Sequence, residues 1–218
     1  MGLSRGAAIV FVSAALGLTM LGVSACGGPG GSASEAALPL KDQLIEPGPL
    51  GEREYGNRNA PVTIVEYVSL TCPYCRKYHA TVFPRVKRSY VDTGKVRYII
   101  REFAIGRTAG TAAIATRCVP SSKYLPLVEA YLSRQREWVS QEVRPDAIYK
   151  IAKSSGLSRA KFDKCLSNQS IMDGLTEIKQ RGRKYGVIGT PTLFINGQRL
   201  QGAVTFEQVK ALIEPQAS

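Results

Sequence analysis

Val62-Thr63-Ile64-Val65-Glu66-Tyr67-Val68, then Ser69-Leu70, then Thr71-Cys72-Pro73-Tyr74-Cys75-Arg76-Lys77 is the stretch that decides how this chain is read. The first seven residues are apolar except for Thr63 and Glu66. Continuous rather than alternating apolarity marks a strand covered on both faces. A helical pattern follows, and Pro73 suits its first turn, where a missing N–H costs no hydrogen bond. Two cysteines separated by two residues thus stand at a strand-to-helix junction, which is how a reactive dithiol is built. The unpaired N–H groups and the dipole of a helix N-terminus favour negative charge, and Arg76 and Lys77 add to that. Cys72 is therefore the expected thiolate nucleophile, and Cys75, inside the helix, the expected resolving partner. A structural disulfide or half a zinc site are the other readings. Zinc needs further ligands and only His79 is near, so neither a metal nor a cofactor is expected. One helical turn after Cys75, His79 is expected on the helix surface, with an influence on the site as the other reading.

Working outward, Tyr55 to Pro61 is turn chemistry ahead of the strand. Tyr74 to about Thr93 reads as a helix that Pro84 should kink or break. Lys95 to Phe103 is a second strand, and the strand–helix–strand order makes it parallel to the first. From Arg107 to about Gly186 there is no strand signal. Helices are expected at Thr108–Arg117, Pro126–Glu137, Arg144–Ser154, Ser158–Ser167 and Ser170–Tyr185, with Ser158 as an N-cap. Strands return at Thr192–Ile195 and Gln198–Gly202, joined by the hairpin signal Asn196-Gly197. Thr205 caps a last helix, Phe206–Ile213.

The first 25 of the 218 residues are not fold material. One positive charge, an apolar run from Gly6 to Leu21 and Val23-Ser24-Ala25-Cys26 read as a signal peptide of the lipoprotein type, residues 1–25, with Cys26 lipidated. Residues 26–51, rich in Gly, Ser, Ala and Pro, are expected to be a flexible tether, and folding to begin near Glu52. Export permits disulfides. Of five cysteines, Cys26 goes to lipid and Cys72 and Cys75 pair, which leaves Cys118 and Cys165 as a structural disulfide or as two buried thiols. The net charge of +12 comes without any nucleic-acid motif. It reads as a solvated surface facing anionic lipid, with no nucleic-acid partner.

Val65-Glu66-Tyr67 ahead of Thr71-Cys72-Pro73-Tyr74-Cys75, with Thr190-Pro191 before a strand and an Asn-Gly hairpin, resembles the thioredoxin superfamily. The helical block between the two halves is similar to that of the DsbA-type thiol:disulfide oxidoreductases of the bacterial envelope. The resemblance runs from about Asn57 to Ile213. It implies an α/β thioredoxin fold, β-α-β then β-β-α, over 52–106 and 187–215, with an inserted helical domain over 107–186. It implies that Pro191 is a cis-proline beside the dithiol, and that Thr190, Pro191, Pro73 and Tyr74 bind an extended substrate chain. Gly189 and Ile188 complete that loop. Glu66 matches a buried acid that relays protons for Cys75, with a strand-edge glutamate facing water as the other reading. The resemblance also implies a second, non-catalytic disulfide in the helical block. Tyr74 departs from the best-known oxidase pattern, which has His there; Cys-Pro-Tyr-Cys also occurs in reducing glutaredoxins.

The expected function is oxidation of cysteine pairs in reduced, unfolded exported proteins, on the periplasmic side of the bacterial envelope. A monomer held at the membrane surface by its lipid would be recycled by a quinone-linked membrane thiol oxidase. The alternatives are a reductase or isomerase kept reduced by a membrane thiol donor, and a non-enzymatic binding module with a static Cys72–Cys75 bridge.

Overall fold

Among the described residues five strands form one sheet, in the order β1-β3-β2-β4-β5. They are β1 (Arg53–Tyr55), β2 (Val62–Val68), β3 (Val96–Glu102), β4 (Thr192–Ile195) and β5 (Gln198–Gln201). The computed structural model describes residues 38–217. The expected signal peptide, Cys26 and the first part of the expected tether lie outside the described residues. β2 occupies the centre, parallel to β3 and antiparallel to β4. Its side chains are buried in all but one position, Thr63, which is why its apolarity does not alternate. The hairpin after β4 turns through Asn196 and Gly197 at φ 45° and 88°, the left-handed pair that a two-residue connection requires. β1, antiparallel to β3, is a strand the sequence did not suggest. Three residues, two of them charged, carry no periodicity. Its pairing is lateral, reinforced by Arg97 Nε donating to Glu54 Oε2 at 2.7 Å.

After the dithiol come α2 (Pro73–Thr81), α3 (Phe83–Val86) and one π-helical stretch, Lys87–Val91. Pro84 sits in the first turn of α3 and interrupts the run as expected. Six helices separate β3 from β4: α4 (Arg107–Arg117), α5 (Ser121–Ser133), α6 (Gln135–Trp138), α7 (Pro145–Ala152), α8 (Arg159–Leu166) and α9 (Gln169–Lys184). Ser158 Oγ accepts from the Lys161 N–H, and Asn168 Oδ1 from the Ile171 N–H, so both starts carry side-chain caps. α5 begins earlier than expected. Pro126 lies inside it rather than at its start, because Tyr124 and Leu125 bury in the turn before. The last helix, α10 (Phe206–Ile213), starts from Thr205 with both arms of a capping box.

The sheet is covered on both faces. Ile64, Val68, Tyr98 and Ile100 join one apolar cluster with Tyr78 and Phe83 of α2 and α3, Leu127 and Tyr131 of α5, and Val209 of α10. The inserted helices therefore share a core with the sheet. On the other face Val65, Tyr67, Ile99 and Phe194 pack with Ile178 of α9. Leu44 joins this second cluster, and it belongs to a helix, α1 (Leu40–Ile45), where the sequence suggested tether. That expectation is corrected: folded structure begins by Leu40, because one of the three apolar side chains of this helix, Leu44, finds room against the sheet. The backbone after it is held by arginines. Arg101 donates to Glu46 O at 2.9 Å and Arg117 to Gly51 O at 3.2 Å. Among the described residues no helix is long and apolar enough to cross a membrane.

Candidate active site

Cys72 is the N-cap of α2, with Pro73 as the first helical residue. Its backbone is extended, which aims the side chain across the N-terminal end of the helix. Its Sγ donates to the Thr190 carbonyl oxygen at 3.1 Å, and the Thr190–Pro191 bond is cis. The two parts of the chain that the resemblance joined are thus in contact. The Cys72 thiol is lowered from an ordinary 9.0 to about 5. A hydrogen bond from the Cys75 thiol is the largest cause; burial opposes it; a side-chain bond from Thr190 and the backbone N–H groups of Cys75 and Tyr74 complete it. The Thr190 hydroxyl is buried and makes no other hydrogen bond among the described residues.

Cys75 is fully buried, and its thiol is pushed well above its ordinary range. Burial is the main cause, followed by the bond to Cys72 and the negative charges of Cys72 and Glu66. One helical turn separates an acidic, half-exposed thiol from a buried, weakly acidic one. Such a pair can hold one thiolate at the surface and keep the second sulfur for an internal bond.

Glu66 points into the core beneath the dithiol and is 0 % exposed. Tyr98 Oη donates to its Oε2 at 2.9 Å, and His79 Nε2 lies 3.1 Å from both carboxyl oxygens. The surface position expected for His79 is therefore corrected. The α2 helix turns that face onto β2, and a buried carboxylate is a better partner for the imidazole than solvent is for an isolated Glu66. The sequence carried no sign of this pairing, since thirteen positions separate the two residues.

A residue that sequence reasoning missed is Gln135. It is buried in α6, and its Nε2 donates to Leu70 O at 2.8 Å and Cys72 O at 3.0 Å. The insertion thus holds the loop that carries the dithiol. A glutamine at the start of a four-residue helix has no periodic signature, so only the fold reveals it. Tyr74 is 55 % exposed and Ile188, beside the cis-proline loop, 85 %. Next to that loop, Phe103, Ile105, Val187 and Ile188 line an open groove of about 460 Å³ with Lys179 and Arg183 at its rim. Away from the site, Cys118 at the end of α4 and Cys165 in α8 form a disulfide, with Cα atoms 6.2 Å apart.

The chain matches the family model described as Thioredoxin over residues 50–215. The crystal structure of Wolbachia pipientis alpha-DsbA1 is 26 % identical with a TM-score of 0.73, over 81 % of this chain and 96 % of that one. Oxidised BdbD from Bacillus subtilis, at 21 % identity and a TM-score of 0.71 over 79 % of this chain and 96 % of that one, shares the fold. A Rickettsia typhi protein named as a protein-disulfide oxidoreductase is 34 % identical over 146 residues, 65 % of this chain and 53 % of its own length. The chain thus spans about half the length of the rickettsial relatives it matches. With a sheet, a cis-proline loop and a family match that agree over the same residues, the chain belongs to the thioredoxin family, in its DsbA-like form with helices inserted between the two halves of the fold.

Proposed function

We propose that this chain is a protein-disulfide oxidoreductase of the bacterial envelope that uses Cys72 and Cys75 to insert disulfides into exported proteins. One observation carries the reading: Cys72 is half-exposed with its thiol lowered to about 5, while Cys75 is buried with its thiol raised. A stable Cys72 thiolate favours the dithiol over the disulfide, so the oxidised pair takes electrons from other thiols. The names of the relatives support the same class of reaction.

In the oxidised form a client thiolate attacks Cys72 Sγ. A bond forms between client and Cys72, the Cys72–Cys75 bond breaks, and its electron pair leaves on Cys75, which takes up a proton. A second client thiolate then attacks the client sulfur of the mixed disulfide, and Cys72 departs as a thiolate. The client has lost two electrons and gained a disulfide; the chain has gained the two electrons. A quinone-linked membrane thiol oxidase is the class of partner that removes them. Thr190, Pro191, Pro73 and Tyr74 are assigned to hold an extended client chain at the half-exposed Cys72 sulfur. Glu66 is assigned to serve the Cys75 proton, Cys118–Cys165 to brace the helices, and Cys26 to tether a monomer to the membrane surface.

Equilibrium titration of the pair against glutathione tests this. The pair should be more oxidising than glutathione, Cys72→Ser should abolish oxidation of a dithiol peptide, and Cys75→Ser should accumulate mixed disulfides with clients. A midpoint as reducing as that of thioredoxin would overturn the oxidase in favour of a reductase. A bond that no glutathione ratio opens would leave a static bridge.

A further inference from the structure

Each cycle of Cys72–Cys75 must put a proton on Cys75 and later take it away. Cys75 is fully buried, and so is Glu66, whose charge is felt at the Cys75 sulfur. A carboxyl group sealed from water cannot trade protons with solvent by itself. Among the described residues it has two side-chain partners, Tyr98 and His79. Tyr98 leads only to Tyr78, its hydroxyl 3.1 Å away. Burial pushes both phenols well above their ordinary range, so that branch ends inside the core.

His79 is different. Its Nε2 faces Glu66, while its Nδ1 is buried without a hydrogen-bond partner among the described residues. The residue also lines a surface cavity of about 270 Å³ between α2 and α5, with Arg76, Ala80, Pro126, Glu129 and Ser133. The ring is held in place by Phe83, centroids 4.8 Å apart, and Tyr78, 5.6 Å. The charged or titratable groups around it are Glu66 and Tyr98 from the sheet, Tyr78 and Arg76 from α2, and Glu129 from α5. An imidazole that accepts a proton at one nitrogen and releases one from the other joins two compartments.

We propose that His79 is the outlet of a buried proton path that runs from Cys75 through Glu66 to the cavity between α2 and α5. The proposal rests on the oxidoreductase reading. When the Cys72–Cys75 bond is reduced, the electron pair settles on Cys75 Sγ, and a proton moves from His79 Nε2 to the Glu66 carboxylate and on to Cys75. His79 regains its proton from solvent. On reoxidation the proton travels the other way. His79 acts through Glu66 and is a positioning and relay residue; it does not touch the client.

The test uses the full oxidised chain reduced by dithiothreitol, followed by acid quench, alkylation and mass spectrometry across a pH series. His79→Gln keeps a hydrogen-bond donor toward Glu66 but cannot pass a proton. It should slow the appearance of the Cys75 thiol by about tenfold or more, flatten the pH profile, and leave the equilibrium midpoint near that of the natural chain. His79→Ala opens space beside the cavity. Added imidazole and a more basic methylimidazole should restore its rate, in an order that follows their basicity. An unchanged rate and pH profile in His79→Gln would overturn the path, and so would slowing in His79→Ala that neither base relieves. If dithiothreitol fails to open the natural Cys72–Cys75 bond, the oxidoreductase reading falls and the path with it. If the bond opens at the same speed without His79, the path alone falls.

Discussion

Cys72 and Cys75 carry the same side chain in one helical turn, yet their acidities move in opposite directions. The difference is position. Cys72 caps the N-terminal end of the helix, where N–H groups and the Cys75 thiol point at its sulfur. Cys75 is inside, where burial penalises charge. This has a consequence for stability. The folded pKa of Cys72 is depressed to about 5 from an ordinary 9.0. Such a group stabilises the reduced folded chain above its unfolded pKa, and the effect declines as pH falls toward the folded value. Between those limits the reduced natural chain should therefore resist urea better than Cys72→Ser. The margin should shrink as pH falls from 9 and vanish below about 5. Paired urea titrations of the two reduced proteins at several pH values measure it; a margin that grows toward low pH would mean that no stabilised thiolate exists at Cys72.

Among the elements, α9 approaches the sheet more closely than its side chains suggest. A Cβ added at Gly182 would lie 2.8 Å from Tyr67 Cε1 and 3.2 Å from Phe103 Cδ2. Tyr67 cannot retreat: it is fully buried and stacks edge-on against Phe103 and Phe194. Overpacking of this kind costs about 1–3 kcal/mol, against about 1 kcal/mol gained when alanine replaces glycine in a helix. Gly182→Ala should therefore lose up to about 2 kcal/mol in urea denaturation, the clash outweighing the propensity. Gly110 in α4 has open space around it. Gly110→Ala should be neutral or gain up to about 1 kcal/mol. Equal effects at the two positions would show that close packing of α9 plays no part.

At the scale of the whole molecule, the Cys118–Cys165 disulfide joins α4 to α8 across a separation of 47 residues. A loop of this size stabilises by constraining the unfolded chain, about 2–4 kcal/mol in the usual range. The double variant Cys118→Ser, Cys165→Ser should melt about 5–15 °C lower. Intact mass after alkylation without reductant should find both natural cysteines unmodified; ready alkylation would show that the bond is not formed. Buried ion pairs tie the same region together. Arg117 pairs with Glu102 and donates to the Leu50 and Gly51 carbonyls, so β3, α4 and the segment before β1 are joined by one side chain.

The order of elements, the parallel β2–β3 pair, the Asn196-Gly197 turn and the dithiol at a helix start were all legible in the chain alone. Each depends on neighbours in sequence: apolar runs, caps, turn residues and the spacing of two cysteines. The burial of Glu66 and the place of Thr190-Pro191 were legible only through resemblance, because no local pattern brings residue 190 to residue 72. The rest required the folded chain. His79 was misplaced because a helix pattern does not say which face meets the sheet. Gln135 and β1 had no signal, since each is defined by backbone groups that other segments leave unpaired. Leu44 showed nothing until the sheet offered it a surface. What local chemistry can specify, the sequence by itself determined: a reactive cysteine pair on a strand–helix junction within a split fold. Which side chains tune that pair, hold its loop and connect its proton to solvent was decided by tertiary structure alone, because hydrogen bonding and burial there act between residues tens of positions apart.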